Sequence, residues 1–261
     1  MRQVARQVRA TRSSRANRRA LAPPPLHRDQ ALFLDFDGTL VEIAPSPSLV
    51  QVPIELTELL SELTSWLDGA VAVVSGRPVD ELARMLAPFP GGIAGDHGLE
   101  RRLGDGTVTR CFAHHELDRF RPLVAGFAAR HNGILLEDKG GSLALHYRQA
   151  PALAARCRAL VRRAAQASNG ALATIAGKMV VELIPQSAGK GRAIAGFLAD
   201  PPFRGRLPVF VGDDITDEDG FAVVNRTGGF SVHVGGGATI AHHNLATVGD
   251  VLAWLTRGLA G

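Results

Sequence analysis

The stretch Leu32-Phe33-Leu34-Asp35-Phe36-Asp37-Gly38-Thr39 decides the fold class of this 261-residue chain. Residues 31–34 form a continuous apolar run, which is typical of a parallel strand buried on both faces. Side chains two positions apart on a strand point the same way, so Asp35 and Asp37 can converge on one small volume. Gly38 permits a sharp turn directly after them. Two carboxylates at the end of a buried strand are costly unless they hold a cation or take part in chemistry.

The composition is that of an ordinary globular protein, with 46% hydrophobic and 21% charged residues. The length fits one large domain or two smaller ones. The two cysteines, Cys111 and Cys157, form no CxxC motif, so we expect neither a disulfide framework nor a zinc site, and we predict a cytoplasmic protein. No apolar run approaches the roughly 18–20 residues that a membrane helix needs, so we predict no membrane association.

The positive net charge of +4 comes from the start of the chain, where residues 1–29 hold eight arginines against the single acid Asp29. We interpret residues 1–29 as a disordered basic tail, because they contain few large apolar residues and end near three consecutive prolines. A transit peptide and an arm for an anionic partner are alternatives. The rest of the chain is slightly acidic, so we predict no nucleic-acid partner.

Two patterns divide the remainder of the chain. Residues 30–112 and 186–261 alternate short apolar strands with helical patterns, which predicts a parallel sheet with right-handed crossovers. Residues 113–185 instead give the order α-β-β-α-β-β, with the alternation of an antiparallel sheet that has one packed face. The predicted fold class is therefore α/β: a doubly wound, Rossmann-like core of residues 30–112 and 186–261, with an inserted α+β cap domain of residues 113–185.

Polar residues follow three of the predicted core strands, at the edge where open α/β sheets bind ligands. These strand-end residues are Asp35 and Asp37, Ser75 and Arg77, and Asp213 and Asp214. Asp35, Asp213 and a backbone carbonyl form an oxygen set suited to Mg²⁺. Ser75 and Lys190 can hold phosphoryl oxygens. A carboxylate can accept a phosphoryl group, and a second one, Asp37, can protonate a leaving alcohol and later deprotonate a water.

This ordered set of motifs resembles the haloacid dehalogenase-like phosphatases. The matching pieces are Asp35-Phe36-Asp37-Gly38-Thr39, Ser75-Gly76-Arg77, Lys190, and Gly212-Asp213-Asp214 with Asp217. The resemblance implies a hydrolase core with Asp35 as nucleophile and Asp37 as acid/base. It also implies Mg²⁺ held by Asp35, the Asp37 carbonyl and Asp213. Asp214 and Asp217 would orient metal-bound waters or Lys190.

Further motifs are similar to those of the trehalose-6-phosphate phosphatase family, over residues 30–256. They are Gly95-Asp96-His97-Gly98, Glu137-Asp138-Lys139, His146-Tyr147-Arg148, Gly177-Lys178 with Glu182, and the extended stretch Gly212-Asp213-Asp214-Ile215-Thr216-Asp217-Glu218. In that family a mobile cap closes over the disaccharide. By this resemblance the substrate-binding residues are Arg77, His97, Glu137, Lys139, Arg148, Lys178 and Glu182. Strand alternation supports it, since Glu137 and Lys139 share one face of a strand and can bind sugar hydroxyls.

The resemblance implies a Mg²⁺-dependent enzyme that hydrolyses trehalose 6-phosphate through an aspartyl-phosphate, as the last step of trehalose biosynthesis. We also predict a monomer. A phosphatase of another sugar phosphate, such as sucrose phosphate or mannosyl-phosphoglycerate, would use the same core. A non-catalytic sugar-phosphate sensor is a third possibility, because a fold alone does not give a function. Cap movement is expected, with hinges near residues 108–114 and 184–189.

Overall fold

The computed structural model describes residues 22–44, 49–110, 114–177 and 179–260. Its strands are, in chain order, β1 (Gln30–Leu34), β2 (Val71–Val74), β3 (Gly92–Gly95), β4 (Glu100–Arg102), β5 (Val108–Arg110), β6 (Leu135–Asp138), β7 (Leu143–His146), β8 (Leu172–Gly177), β9 (Val180–Pro185), β10 (Leu207–Gly212), β11 (Phe230–Val234) and β12 (His243–Leu245). Its helices are α1 (Ile54–Trp66), α2 (Val79–Met85), α3 (His114–Ala129), α4 (Ala154–Ala167), α5 (Lys190–Leu198), α6 (Glu218–Arg226) and α7 (Val248–Leu259). Short 3-10 turns lie at Asp96–Gly98, Pro151–Leu153 and Ile215–Asp217.

The larger sheet has the strand order β12-β11-β10-β1-β2-β3-β4-β5. Neighbouring strands are parallel from β12 to β3, while β4 and β5 add an antiparallel edge. Helix α1 packs against α7, and α5 packs against α6. The predicted α/β fold with a doubly wound parallel sheet is confirmed.

Strand β1 lies near the middle of this sheet because its residues are apolar enough to be covered from both faces. All five of its residues are buried, and Leu34 is in register with Val73 on β2 and with Val211 on β10. Phe33 stacks on Phe203 with ring centroids 5.5 Å apart. Burying a side chain of this size stabilises the fold by about 1.5–3 kcal/mol. The packing of β1 therefore holds in place the strand end that Asp35 follows.

The smaller sheet is antiparallel, with the order β6-β7-β9-β8. Helices α3 and α4 pack on it. Its hydrophobic cluster is separate from that of the larger sheet and includes Leu117, Val124, Leu143, Val161 and Leu183. The order α-β-β-α-β-β is the one that the sequence predicts for the insert.

The structure departs from the sequence predictions at several places. The motif Gly95-Asp96-His97-Gly98 leaves strand β3 at Gly95, because Asp96 and His97 take left-handed φ angles of +49° and +55°. The short edge strand β12 was not predicted. Residues 22–29, placed in the disordered tail, instead pack on the core: Leu26 is buried, and the Trp254 indole donates to the Pro24 carbonyl at 2.9 Å. Residues 1–21 lie outside the described residues. None of the helices in the described ranges combines the length and the apolar character needed to cross a membrane.

Candidate active site

The strand order β10-β1-β2-β3 brings the predicted strand-end residues together at one edge of the larger sheet. A cleft of about 640 Å³ opens there, and the smaller sheet forms its opposite wall. The lining residues that the sequence had singled out are Asp35, Asp37, Ser75, Arg77, His97, Glu137, Lys139, Arg148, Glu182, Lys190, Asp213 and Asp214. Lys178 lies outside the described residues.

Lys190, Asp35 and Asp217 form a buried charge cluster on the floor of the cleft. The Lys190 ammonium donates to Asp35 Oδ1 and to Asp217 Oδ1, each at 2.6 Å. Burial disfavours the charged form of Lys190, but the two carboxylates outweigh it and raise its pKa above the usual value. Burial raises the pKa of Asp35 to about 6 although Lys190 opposes this shift. Lys190 is therefore a permanent cation beside the predicted nucleophile.

The start of helix α5 is shaped to place Lys190. The Gly191 amide donates to Asp219 Oδ2 at 2.9 Å, and the Gly189 amide donates to the His97 carbonyl at 2.7 Å. A Cβ on Gly189 would lie 2.4 Å from Asp219 Oδ2, so a glycine before Lys190 leaves room for this carboxylate. Asp219, which the sequence analysis did not select, thus anchors the first turn of the helix that begins at Lys190.

A set of acidic oxygens beside this cluster fits a divalent cation. Asp35, Asp213 and Asp217 each bring one carboxylate oxygen within 4.8 Å of the others. Asp217 is already engaged, since its Oδ1 accepts from Lys190 and its Oδ2 accepts from the Asp213 and Asp214 amides at 3.0 Å each. Asp217 therefore supports the site, and Asp35 and Asp213 are the better cation ligands. Burial, and then the charge of Asp35, raise the pKa of Asp213 to about 7. Mg²⁺, which prefers hard oxygen ligands, would relieve this repulsion.

Gly38 makes room for the Asp213 carboxylate because it has no side chain. Gly38 has φ +91°, and a Cβ there would lie 2.1 Å from Asp213 Oδ2. Gly38→Ala should therefore displace the Asp213 carboxylate, weaken Mg²⁺ activation, and lower the free energy of unfolding by about 1–3 kcal/mol. Chemical denaturation and the Mg²⁺ dependence of activity measure these effects.

Gly106→Ala is the matched control for this prediction. Gly106 has a similar φ of +87°, but an added Cβ would meet no atom of the described residues within 4 Å. It introduces backbone strain without moving a carboxylate. Equal Mg²⁺ requirements for the two variants would contradict the inferred contact.

Asp37 is paired with Arg77 in a bidentate geometry. Arg77 Nε donates to Asp37 Oδ2 at 2.7 Å, and a terminal nitrogen donates to Oδ1 at 2.8 Å. Arg77 also donates to Glu81 on α2. The Asp37 and Glu81 hydrogen bonds outweigh burial and raise the pKa of Arg77 above its usual value. The sequence analysis predicted that Arg77 binds substrate; the structure places its guanidinium on two carboxylates at the edge of the cleft.

The loop after β2 also places Ser75 and touches His97. Ser75 is buried, and its Oγ accepts from the Arg77 amide at 3.2 Å. A Cβ on Gly76 would lie 2.7 Å from His97 Cε1, so the glycine permits close contact between the two loops. His97 Nε2 lies 3.4 Å from Glu182 Oε2, too far for a good hydrogen bond but close enough for an ion pair.

The smaller sheet presents polar residues to the cleft because of its register. Glu137 on β6 and Glu182 on β9 both pair with Ala144, the small residue between them on β7. The Lys139 ammonium lies 3.4 Å from both Glu182 oxygens and donates to the Gly76 carbonyl at 3.0 Å, which links the two sheets. Burial would raise the pKa of Glu182, but His97 and Lys139 outweigh it and lower the pKa to about 2.

The remaining predicted residues differ in their surroundings. Glu137 Oε2 lies 2.8 Å from His146 Nε2, and this contact lowers the pKa of Glu137. Arg148 is exposed at the cleft wall. The Asp214 carboxylate accepts from the Ile215 amide at 2.6 Å and so begins the turn before α6. The prediction that Asp214 orients metal-bound waters stays a prediction.

The sequence analysis also passed over Asp96, although it quoted the motif that contains it. Asp96 is buried with a left-handed backbone, and burial raises its pKa to about 6 despite the nearby Lys139 and His97. A non-glycine residue with positive φ costs energy and is common near functional sites, but sequence spacing does not reveal it.

The sequence was also compared with those of known proteins. The sequence model of the trehalose-phosphatase family matches residues 33–248. A trehalose-6-phosphate phosphatase from Escherichia coli (strain K12) is 44% identical over 233 residues, which cover 89% of this chain and 87% of that protein.

Solved structures agree in fold. The C-terminal domain of C. albicans trehalose-6-phosphate phosphatase superposes with a TM-score of 0.77 at 20% identity, covering 92% of this chain and 99% of the other. A haloacid dehalogenase-like hydrolase from Bacteroides thetaiotaomicron superposes with a TM-score of 0.65 at 16% identity, covering 87% and 98%. The fold is therefore that of the haloacid dehalogenase-like hydrolases.

Proposed function

Since the chain belongs to the trehalose-phosphatase family, we propose that it hydrolyses trehalose 6-phosphate to trehalose and phosphate, the last step of trehalose synthesis. The observation that best supports this is the cleft itself. The floor of the cleft holds the buried Asp35 carboxylate beside the Lys190 ammonium. The wall formed by the smaller sheet holds charged side chains, such as Lys139 and Glu182, that are suited to sugar hydroxyls. The enzyme is a phosphatase, and its substrate is a small sugar phosphate.

The residues at the floor of the cleft have different roles in the proposed reaction. An oxygen of Asp35 attacks phosphorus, the bond from phosphorus to the sugar oxygen breaks, and Asp37 gives that oxygen a proton. Asp37 then takes a proton from water, which attacks phosphorus and breaks the bond to Asp35. Lys190 and Ser75 hold phosphoryl oxygens during both steps. Mg²⁺ held by Asp35, Asp213 and the Asp37 carbonyl would supply further neutralisation of phosphoryl charge.

The residues of the smaller sheet select the sugar in this proposal. Glu137, Lys139, Arg148 and Glu182 face the cleft, and His97 reaches them from the larger sheet. We further propose that residues 113–185 move as a cap on a core of residues 30–112 and 186–261, with hinges near 108–114 and 184–189. Opening is required because a disaccharide must enter a cleft that Lys139 bridges.

A substrate panel tests the proposed function. Phosphate release should be fastest with trehalose 6-phosphate and much slower with sucrose 6-phosphate, glucose 6-phosphate and mannosyl-phosphoglycerate. Chelation of Mg²⁺ should abolish activity on every substrate, because the acidic oxygens would then repel the phosphoryl group. No preference for trehalose 6-phosphate would favour another sugar phosphate, and binding of the sugar phosphate without turnover would favour the sensor.

We also propose that the protein is a monomer in the cytoplasm, with no nucleic-acid partner. The low cysteine content and the slightly acidic chain beyond the arginine-rich start support this. A mass in solution equal to one chain, and no salt-sensitive binding to nucleic acid, would agree with it.

A further inference from the structure

Asp37, the acid/base of the proposed reaction, is held on both carboxylate oxygens by one side chain. The two hydrogen bonds from Arg77, at 2.7 and 2.8 Å, fix the plane of the Asp37 carboxylate. The Asp37 side chain lines the cleft and is 34% exposed. Water does not hold a carboxylate in one orientation, so the hydrogen bonds from Arg77 are what orient it. A planar guanidinium binding a carboxylate through two parallel hydrogen bonds is one of the most directional contacts in proteins.

Arg77 is itself held from three sides. The guanidinium nitrogen that does not contact Asp37 donates to Glu81, which lies four residues further along the chain in the first turn of α2. The guanidinium lies over the Phe36 ring at 5.4 Å, and the Met85 sulfur is 3.8 Å from the nitrogen that contacts Glu81. Among the described contacts of Arg77, Glu81 is the carboxylate that binds the guanidinium nitrogen not used by Asp37. Glu81 therefore helps to set which edge of the guanidinium faces Asp37.

We propose that Glu81 is a positioning residue for the reaction, acting on Asp37 through Arg77. This inference rests on the proposed function, because it needs Asp37 to serve as the acid/base. The Arg77 side chain is 8% exposed, so its orientation is set by the protein groups around it rather than by solvent. Without Glu81 the guanidinium loses a charged contact and can reorient, so Asp37 would no longer meet the leaving oxygen in a fixed geometry. A displacement of about 1 Å can cost about 100-fold in rate.

Substrates with different leaving groups distinguish a positioning role of Glu81 from a purely structural one. A sugar alkoxide needs a proton to leave, whereas 2,4-dinitrophenolate leaves without one. The ratio kcat/KM covers only the steps up to departure of the leaving group. Glu81→Ala should therefore lower kcat/KM for trehalose 6-phosphate by about 10–100-fold. It should change kcat/KM for 2,4-dinitrophenyl phosphate by less than about 3-fold.

Two further variants sharpen this test. Glu81→Gln keeps a hydrogen-bond acceptor for Arg77 and should recover part of the loss seen in Glu81→Ala. Asp80→Ala removes a carboxylate from the same helix turn, but its side chain is exposed, and it should leave both substrates unaffected. Equal losses on both substrates in Glu81→Ala would show a structural role, and no loss would show no role. Either result overturns the inference.

The same measurements separate failure of this inference from failure of the proposed function. If the wild-type enzyme prefers another sugar phosphate, the proposed function fails, and the comparison is made with that ester and the same aryl phosphate. If the wild-type enzyme hydrolyses no phosphate ester, both fail together.

Discussion

Asp35→Asn should abolish turnover of trehalose 6-phosphate, with an expected loss of at least about 10³-fold in kcat. An asparagine amide cannot accept the phosphoryl group, so the proposed aspartyl-phosphate would not form. The fold should be kept, because the amide oxygen still accepts a hydrogen bond from Lys190, which retains Asp217 as its charged partner. Phosphate release measures the loss, and acid quench with mass spectrometry of the peptide that contains Asp35 should detect the proposed phosphoryl group in the wild-type enzyme.

The matched control is Asp80→Asn, the same chemical change at an exposed position. It should retain full activity. A phosphorylated peptide elsewhere in the chain, or more than about a tenth of wild-type activity in Asp35→Asn, would contradict the assignment of the nucleophile.

Lys190→Met is expected to impair both stability and activity. It leaves Asp35 and Asp217, which are 5% and 0% exposed, without a cation. Breaking a buried ion pair by removing one partner costs about 3–5 kcal/mol, because the other charge stays buried and uncompensated. Activity should fall by at least about 100-fold, because the phosphoryl charge loses a preorganised partner. Urea denaturation in the presence of chelator measures the stability term without a contribution from Mg²⁺.

The double variant Lys190→Met with Asp217→Asn tests the physical reason. Removing one of the two unpaired carboxylates should recover about 1–3 kcal/mol of the lost stability, but no activity. A free energy of unfolding within about 1 kcal/mol of wild type in the single variant would show that the cluster is not a strong ionic contact.

The positions of the strand ends that form the site can be predicted from the sequence, because buried parallel strands have a recognisable apolar pattern. The apolar run before Asp35 can be stable only as a strand covered on both faces, and parallel strands align their carboxyl ends. The meeting of Asp35, Ser75 and Asp213 at one edge of the sheet therefore follows from local pattern plus connection rules.

The side-chain pairings could not be predicted in the same way. Arg77 and Asp37 are 40 positions apart, and their contact depends on the relative height of two adjacent strand ends. Asp219 reaches Gly191 only because α5 and α6 pack together. The left-handed backbone at Asp96 and His97 has only a weak signal in the sequence, because Asp and His adopt positive φ more often than most residues but still uncommonly.

The bridge from Lys139 to the Gly76 carbonyl and to Glu182 has a consequence for affinity. These groups already have partners before any sugar arrives, so each new hydrogen bond to a hydroxyl is an exchange of one partner for another. A hydrogen bond to a charged group contributes about 1.5–3 kcal/mol when it replaces water, and less when it replaces a protein partner, so a disaccharide without its phosphate should bind weakly. Once phosphorus has been transferred, the protein's own side chains compete to re-form their contacts. Under the proposed function, re-forming the contacts of Lys139 and Glu182 would then favour the release of trehalose.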